Sequence, residues 1–485
     1  MAEELTARLL ALAEEARADA RTPQVAAELA EVEARLRGPV RLAIAGKVKA
    51  GKSTLLNAIV GEGLAPTDAG ECTRIVTWYV RSDRPYVLLH PRDGEPVERP
   101  YARTAGALDV DLGAHTPETV HHLEVGWPSS RLDRLTLIDT PGIASISADV
   151  SARTHEVMSA EGGEAPVADA VLYLLRHTHA NDIHFLEAFH DDEVAHGTPV
   201  NTVGVLSRAD EIGASRLDAM EVASRVAARY QADPRLHRLC PMVVPVNGLL
   251  GHAAVTLREG EYAGLAAVAR TPPEELAELL LTADRFATRD GVVGAEERTR
   301  LLDRLGLFGV RHAVELLRTG AVTSSQELAA RLAATSGLDR LRDVVEVQFE
   351  SRARVLKARS AVAALTGVLR RDGCGDSAAL LRRLEEITSG AHEFEEVRIL
   401  LELRAGEMSL ADERAAQLDL LMGGAGHEPT TRLGLPPDAG PDEVKAAAVA
   451  ALAQWRAVES HPLSSRPTQI AARAAARTIE GLLTA

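Results

Sequence analysis

The segment from Gly46 to Ser53, which reads Gly-Lys-Val-Lys-Ala-Gly-Lys-Ser, constrains the possible folds of this chain more than any other feature. It follows an apolar run from Val40 to Ala45, and a helical pattern begins at Thr54. A GxxxxGK[ST] sequence between a strand and a helix is typical of a phosphate-binding loop. Its backbone N–H groups and the positive end of the helix dipole bind a phosphate chain. The sequence therefore predicts an α/β fold, in which a P-loop domain is built on a mostly parallel sheet.

The residues of this loop have different expected roles. Lys52 is expected to reach the β- and γ-phosphates and to act in catalysis, and the Ser53 hydroxyl is expected to hold Mg²⁺. The nucleotide contacts expected along this segment come from Gly46, Lys47, Val48, Lys49, Ala50, Gly51, Lys52, Ser53 and Thr54.

A second predicted strand, from Leu135 to Asp139, ends in the sequence Asp-Thr-Pro-Gly. In this D-x-x-G pattern, Asp139 can hold the hydration shell of Mg²⁺. The N–H group of Gly142 can contact the γ-phosphate. The pattern therefore predicts the metal end of a nucleoside triphosphate site.

A third predicted strand, from Val203 to Leu206, indicates which base is bound. It is followed by Ser207, Arg208 and Asp210. A carboxylate can accept hydrogen bonds from both N1–H and the exocyclic amine of guanine, whereas adenine presents the opposite pattern at those positions. We therefore expect Asp210 to select GTP over ATP, with the stem of Arg208 lying under the base.

A fourth predicted strand, from Val243 to Val246, is followed by Asn247 and Gly248, which are expected to cap the base. All four motifs come at the carboxyl ends of predicted strands, where ligands bind in open α/β sheets. The expected ligands are therefore GTP or GDP together with Mg²⁺.

The composition narrows the class of partner. The chain has 485 residues, enough for two or three domains, and a net charge of −16, which argues against a nucleic-acid surface. Its three cysteines are scattered, as is usual in a reducing cytoplasm. The acidic N-terminus does not resemble a signal peptide, and no apolar run of 18 residues occurs. We therefore expect a cytoplasmic protein, placed at most peripherally at the inner face of the cell membrane.

Helical patterns occupy both ends of the chain. Residues 3–36 predict one amphipathic helix, broken or kinked at Pro23, and residues 338–371 predict a rod about 45 Å long. Further helices are predicted to the C-terminus. We therefore expect an elongated helical bundle, a neck or stalk, built from both chain ends. The expected boundaries are 1–38 for the N-terminal helix, 39–345 for the GTPase domain and 346–485 for the neck and stalk.

The region between the phosphate loop and the second strand carries a family resemblance. Asp139 lies 86 positions after Ser53, and Thr73-Arg74 lies between them. Together with the phosphate loop and the run Ser207 to Gly213, the sequence resembles the dynamin superfamily of large GTPases. It is similar in particular to the isoniazid-inducible dynamin-like proteins of actinobacteria.

The resemblance implies that Thr73 ligates Mg²⁺ and helps to place the attacking water. The pair Asn181-Asp182 is similar to the loop with which the family closes the nucleotide site across a dimer. The resemblance therefore implies self-association, or pairing with a second dynamin-like chain, through the GTPase domain.

The phosphate loop also departs from animal dynamins, which carry Gln-Ser where this chain has Val48-Lys49. That serine helps to hold a monovalent cation in the family. A lysine ammonium is itself a positive point charge. We therefore predict a catalytic role for Lys49, in place of a bound Na⁺ or K⁺.

Two function classes follow. The first is a dynamin-like GTPase that couples turnover to assembly on membranes and to their remodelling. The second is a GTP switch that acts on a partner protein without lipid contact. A membrane-inserting tip would separate them, and the candidate stretches are 420–422 and 433–435. The locally basic region 350–383 is open to two interpretations, a salt-bridged helix surface or a lipid-facing patch.

Overall fold

The computed structural model describes residues 2–47, 49–65, 75–104, 107–141, 168–176, 201–233, 236, 240, 242–350, 352–404, 408 and 410–484. The strands are β1 (Val40–Gly46), β2 (Thr77–Arg81), β3 (Tyr86–Pro91), β4 (Val97–Glu98), β5 (Tyr101–Thr104), β6 (Ala107–Val110), β7 (Val120–Trp127), β8 (Leu135–Asp139), β9 (Ala170–Leu175), β10 (Thr202–Ser207) and β11 (Val243–Val246). The helices are α1 (Ala2–Ala18), α2 (Pro23–Arg37), α3 (Lys52–Val60), α4 (Ala219–Ala232), α5 (Gly248–Val255), α6 (Glu259–Ala269), α7 (Pro273–Leu279), α8 (Ala283–Thr288), α9 (Ala295–Arg318), α10 (Ser325–Thr335), α11 (Leu338–Val345), α12 (Ala353–Arg370), α13 (Ser377–Gly390), α14 (His392–Arg404), α15 (Asp412–Leu421), α16 (Pro429–Arg432), α17 (Pro441–Ser460) and α18 (Arg466–Thr484).

Nine strands form one sheet, in the order β11-β10-β9-β1-β8-β2-β7-β3-β4. The pairs that involve β1, β9, β10 and β11 are all parallel, whereas β2 runs antiparallel to β8 and β3 runs antiparallel to β7. The prediction of a mostly parallel sheet in a P-loop domain is confirmed. The parallel half brings the carboxyl ends of β1, β8, β10 and β11 to one edge, where the four sequence motifs meet.

The central strands are buried on both faces, which explains their nearly continuous apolar sequence. On one face, Leu42 and Ile44 of β1 pack with Leu55 and Leu56 of α3. On the other face, Ala43 belongs to a core that includes residues of α4. Helix α3 is therefore held firmly against the sheet directly after the phosphate loop.

The N-terminal region forms two helices, α1 and α2, so the predicted break in the amphipathic pattern over 3–36 is confirmed. The break is at Pro23, as expected, because proline has no N–H group to donate and is favoured at the first position of a helix. Thr22 caps α2 by accepting a hydrogen bond from the N–H of Val25. The ion pair between Arg17 of α1 and Glu33 of α2, with a distance of 2.6 Å, fits a chain that reverses at the break.

The expected rod over 338–371 is also wrong, because the helix is interrupted. Helix α11 is followed by a π-helical turn at Glu346–Glu350, and α12 begins only at Ala353. Leu341 and Phe349 pack into the core beneath the sheet, whereas the later part of α12 packs against α1 and α2. The sequence pattern looked continuous because both cores need apolar residues at helical spacing.

Helices from both chain ends share one core, so the predicted bundle is confirmed. This core contains residues of α1, α2, α12 and α13. A second C-terminal core contains residues of α14, α15, α17 and α18. The boundaries at 38 and 345 remain predictions.

A buried ion pair joins the bundle to the sheet. Asp169, directly before β9, accepts hydrogen bonds from Arg35 of α2 at 2.7 Å and from Ser360 of α12 at 2.8 Å. Burial lowers the pKa of Arg35, although Asp169 opposes this shift. The contact therefore connects three separate elements through one carboxylate.

The basic region 350–383 is largely engaged within the protein. Arg352 is buried, Lys357 donates to the carbonyl oxygen of Leu36, and Arg371 pairs with Glu28 at 2.7 Å. These contacts favour the interpretation as a salt-bridged and partly buried surface over a lipid-facing patch.

The stretches 420–422 and 433–435 were predicted to expose large apolar side chains as a membrane-inserting tip, and this prediction is wrong. Leu421 and Met422 are at most 2% exposed, and Leu433 packs against the same C-terminal core. These apolar side chains contribute to the same core as residues of α17 and α18, which explains their burial. Among the described residues, no helix is both long enough and apolar enough to cross a membrane.

Candidate nucleotide-binding site

The phosphate loop joins β1 to α3 through unusual backbone conformations. Gly46 has a φ of 150°, and a Cβ there would lie 2.9 Å from the carbonyl oxygen of Leu174. Gly51 has a φ of 93° and begins α3 without a side-chain cap. Lys49 has a φ of 63°, which is costly for a residue with a side chain. The first N–H groups of α3 are therefore available to an anion.

Lys52 folds back over this loop. Its ammonium group donates to the carbonyl oxygens of Gly46 at 3.2 Å and Lys47 at 3.4 Å. Burial lowers its pKa, and the nearby carboxylate of Asp139 opposes that shift. The loop thus places a cation where a phosphate chain would lie along the backbone.

Ser53 and Asp139 meet at the predicted metal position. The Ser53 hydroxyl donates to Oδ2 of Asp139 at 3.3 Å. Oδ1 of Asp139 is shielded from solvent and has no hydrogen-bond partner among the described residues. Burial raises the pKa of this carboxyl to about 6, with Lys52 acting in the opposite direction. A hydroxyl beside a carboxylate with an unused oxygen is a donor set that suits Mg²⁺.

This raised pKa predicts a stability cost for Asp139. The folded state binds the proton more tightly than the unfolded chain, so the stabilising contribution of this carboxyl is fully present only below its ordinary pKa, 3.8, and is lost as the pH rises through about 6. We expect Asp139→Asn to raise the thermal midpoint of the nucleotide-free protein at pH 7.5 by ~2–5 °C, equivalent to about 2 kcal/mol.

Differential scanning calorimetry at pH 7.5 and pH 4.5 measures this effect. The advantage of Asp139→Asn should shrink at the lower pH, where the wild-type carboxyl is protonated. The exposed residue Asp303 supplies the control Asp303→Asn, which should change little at either pH. An unchanged or lowered midpoint for Asp139→Asn at pH 7.5 would contradict the assignment.

A pocket of about 160 Å³ lies next to the phosphate loop, between the start of α3 and the ends of β10 and β11. Asp210 lines it, and burial raises the pKa of this carboxyl to about 6. Gly306, at an interruption of α9 with φ 66°, lies close to Asp210 from the other side. The lining comprises Ala50, Gly51, Thr54, Leu55, Val205, Ser207, Arg208, Asp210, Glu211, Val246, Asn247, Gly248 and Leu249.

Asn247 and Ser207 reach this pocket but are held by the protein. The side chain of Asn247 caps α5 by accepting from the N–H of Leu250 at 3.0 Å. Its amide nitrogen is buried without a hydrogen-bond partner among the described residues. The Ser207 hydroxyl donates to the carbonyl oxygen of Leu175 at 3.2 Å. A structural role in shaping the pocket therefore accompanies the binding role predicted for both residues.

Sequence reasoning missed the partner that orients Arg208. The Arg208 guanidinium donates to Oε1 of Glu211 at 2.7 Å, and Arg176 donates to Oε2 at 2.7 Å. Although burial alone would raise it, these two hydrogen bonds lower the pKa of Glu211. The spacing of three residues between Arg208 and Glu211 could have been recognised in the sequence, but the contribution of Arg176, directly after β9, could not.

Three predicted site residues lie outside the described ranges, namely Val48, Thr73 and Gly142, and so do Asn181 and Asp182. Their roles remain predictions. The described residues bring together Lys52, Ser53 and Asp139 at one end of the site. They bring Thr54, Asp210 and Gly248 together at the other. The fold and this arrangement define a P-loop nucleotide-binding protein.

The chain matches known proteins over most of its length. Residues 42–206 match the Dynamin family. The isoniazid-induced protein IniC of Mycobacterium tuberculosis is 40% identical over 458 residues, which cover 94% of this chain and 92% of that protein. The bacterial dynamin-like protein of Nostoc punctiforme is 30% identical over 118 residues, 22% of this chain and 17% of that protein.

A solved structure of an oligomerised bacterial dynamin pair covers 100% of this chain and 75% of its own, at 13% identity and a TM-score of 0.33. That similarity is too low to support an argument about this chain. The family match and the long alignment with IniC are sufficient by themselves. The chain belongs to the dynamin superfamily, among its bacterial dynamin-like proteins, and is a GTP hydrolase that binds guanine nucleotide.

Proposed function

We propose that the chain hydrolyses GTP to GDP with Mg²⁺ at this site, and that turnover is coupled to assembly and membrane remodelling. One observation carries the first part of the proposal. The Ser53 hydroxyl and the partly unused carboxylate of Asp139 lie together directly beside a phosphate loop. A carboxylate repels a phosphate group, because both are anions. A buried carboxylate beside a phosphate loop is therefore expected only where a cation lies between the two.

The residues of the chain divide the work between them. Lys52 binds the β- and γ-phosphates after leaving the carbonyl oxygens of its own loop. Ser53 and Asp139 would hold the ion, and Thr73 would complete this set and orient the attacking water. When bound, Mg²⁺ would supply positive charge against the phosphate oxygens. Asp210 orients the guanine so that the phosphates reach these groups in register.

Lys49 supplies a further positive charge. Its strained backbone conformation and exposed side chain fit a residue that contacts a ligand, since strain of this kind clusters at functional sites. A fixed cation near the bridging oxygen between the β- and γ-phosphates stabilises the transition state more than the ground state. No cation then has to be captured from solution.

We expect wild-type turnover to be nearly unchanged when Na⁺, K⁺ and a large organic cation are exchanged at constant ionic strength. Lys49→Ser should lower turnover by about tenfold and create a dependence on Na⁺ or K⁺. Steady-state phosphate release in the three salts measures both effects. Wild-type turnover that rises about tenfold with K⁺ would leave Lys49 without this role.

The coupling to membranes rests on membership of the dynamin superfamily and on the helical bundle that joins both chain ends. The alternative is a GTP-dependent switch that acts on a second dynamin-like chain without lipid contact. Leu421 and Met422 are buried and Leu433 is partly buried against the C-terminal core, so neither 420–422 nor 433–435 presents the exposed apolar side chains of a membrane-inserting tip. Among the described residues, Leu463 is the most exposed large apolar side chain, at 88%.

Vesicle flotation of the full chain separates these alternatives. The chain is mixed with vesicles that contain anionic phospholipid, with GTP, with GDP and without nucleotide, alone and with a second dynamin-like chain. Flotation that depends on GTP supports membrane remodelling. Binding to the second chain that depends on GTP, without flotation in any condition, supports the switch and contradicts the membrane proposal.

A further inference from the structure

Two histidines and a glutamate form a cluster on the part of the sheet away from the base pocket. His90 on β3 and His122 on β7 are directly opposite each other in antiparallel register, and Glu124 lies two residues further along β7. Because side chains alternate along a strand, His122 and Glu124 face the same side of the sheet. Strands β3 and β7 lie near the β4 end of the sheet, whereas the base pocket lies at β10 and β11.

The donor atoms in this cluster are close together. Ring nitrogens of His90 and His122 and a carboxylate oxygen of Glu124 all lie within 4.8 Å of one another. Nε2 of His90 is 3.9 Å from Oε2 of Glu124. Two ligands of a tetrahedral zinc ion, with bonds of about 2.0–2.1 Å, are separated by about 3.3 Å. A small shift would therefore bring this pair to ligand spacing.

Neighbouring groups hold the cluster in a suitable chemical state. The Tyr86 hydroxyl donates to Oε1 of Glu124 at 2.6 Å, which leaves Oε2 turned toward His90. Nδ1 of His122 is 2.7 Å from Nδ1 of His121, so Nε2 of His122 is the nitrogen available for coordination. Metal ligands are commonly oriented by such outer hydrogen bonds.

One ligand atom of the cluster lacks a partner. Nε2 of His90 is buried and has no hydrogen-bond partner among the described residues. A buried polar atom is usually paired, so an unpaired imidazole nitrogen beside a second imidazole and a carboxylate points to a missing ligand.

We propose that His90, His122 and Glu124 form a binding site for a divalent transition-metal ion, with Zn²⁺ as the ordinary occupant. Two imidazole nitrogens and one carboxylate oxygen are a ligand set that Zn²⁺ takes readily. The three protein ligands leave a fourth position for water. The ion links β3 to β7, and it is separate from the Mg²⁺ of the nucleotide site.

Ion binding requires a local rearrangement. The two rings are stacked, with centroids 4.1 Å apart and planes 12° from parallel, and His122 also stacks on Trp78. A nitrogen lone pair lies in the plane of its ring, so two nearly parallel rings cannot both point at one ion. One ring therefore turns about its Cβ–Cγ bond, a torsion with a broad energy minimum.

Zinc titration of the full chain tests this site. The protein is first treated with a chelator that binds Mg²⁺ weakly, and Zn²⁺ is then added in competition with a chromogenic chelator. We expect the wild type to bind Zn²⁺ tightly. The double variant His90→Gln, His122→Gln should bind Zn²⁺ at least about 100-fold more weakly. Tyr86→Phe should weaken binding by about tenfold. The exposed residue His461 supplies the control His461→Gln, which should bind as the wild type does.

A second measurement does not depend on the variants. X-ray absorption of the wild-type chain loaded with one Zn²⁺ should show two imidazole ligands and oxygen donors. The affinity of the double variant for GTP should match that of the wild type, which also shows that it is folded. Zinc affinity that is unchanged in the folded double variant, or a wild-type spectrum with fewer than two imidazoles, would overturn the proposal.

Discussion

Lys52→Ala is expected to lower GTP turnover by at least about 10³-fold and to weaken triphosphate binding strongly. The ammonium of Lys52 lies along the phosphate loop, 3.2 Å from the carbonyl oxygen of Gly46. A bound triphosphate brings its own negative charge to this position, and that charge grows on the leaving oxygen as the bond breaks. Alanine removes this ammonium, so the growing negative charge loses one of the groups that stabilise it in the transition state.

Single-turnover hydrolysis with saturating GTP measures the catalytic part of this loss, and calorimetric titration with GDP and GTP measures the binding part. Lys445, which is exposed on α17, supplies the matched control Lys445→Ala. The control should retain wild-type values in both experiments. Full hydrolysis by Lys52→Ala would show that the loop does not bind the phosphates in the way described.

Asp210→Asn is expected to weaken GTP binding by about 30-fold, equivalent to about 2 kcal/mol. The carboxylate offers two acceptors to the two donors on the edge of guanine. An asparagine offers one acceptor and one donor, so one donor of the base is left facing a donor. Asp210 lies in a partly buried position beside Gly306, where an unpaired polar group is costly.

The same exchange should favour a different base. Xanthine has a carbonyl oxygen where guanine has its exocyclic amine, and that oxygen can accept from the new amide. We therefore expect Asp210→Asn to bind xanthosine triphosphate more tightly than the wild type does, in competition against a fluorescent nucleotide. Asp303→Asn, on the exposed face of α9, is the control. An unaltered order of preference in Asp210→Asn would remove Asp210 from the base site.

The part of the fold that sequence alone predicted consists of locally determined features. The strands before Gly46, Asp139 and Ser207 are apolar runs that need burial on both faces, and each occurs where it was expected. The phosphate loop is local too, since its glycines and the start of α3 are adjacent in the chain. The site was predictable because parallel strands bring these local motifs to one edge.

The features that sequence alone did not predict depend on contacts between distant segments. Leu421 and Met422 follow the pattern of an exposed loop, but the second C-terminal core buries them. The pair Arg176 and Glu211 forms only when β9 and the end of β10 become neighbours. The break between α11 and α12 arises because α11 packs into the core beneath the sheet, whereas the later part of α12 packs into the core of the helical bundle. A local sequence pattern does not show which core a helix will join.

The central claim is that the carboxylate of Asp210, which follows β10, recognises guanine, and that the adjacent phosphate loop helps to bind Mg²⁺. Calorimetric titration of the wild-type chain with GTP and with ATP, each in excess Mg²⁺, tests it most directly. The structure predicts that GTP binds at least about 30-fold more tightly than ATP, because adenine would leave Asp210 facing an acceptor. Equal affinities for the two nucleotides would contradict it.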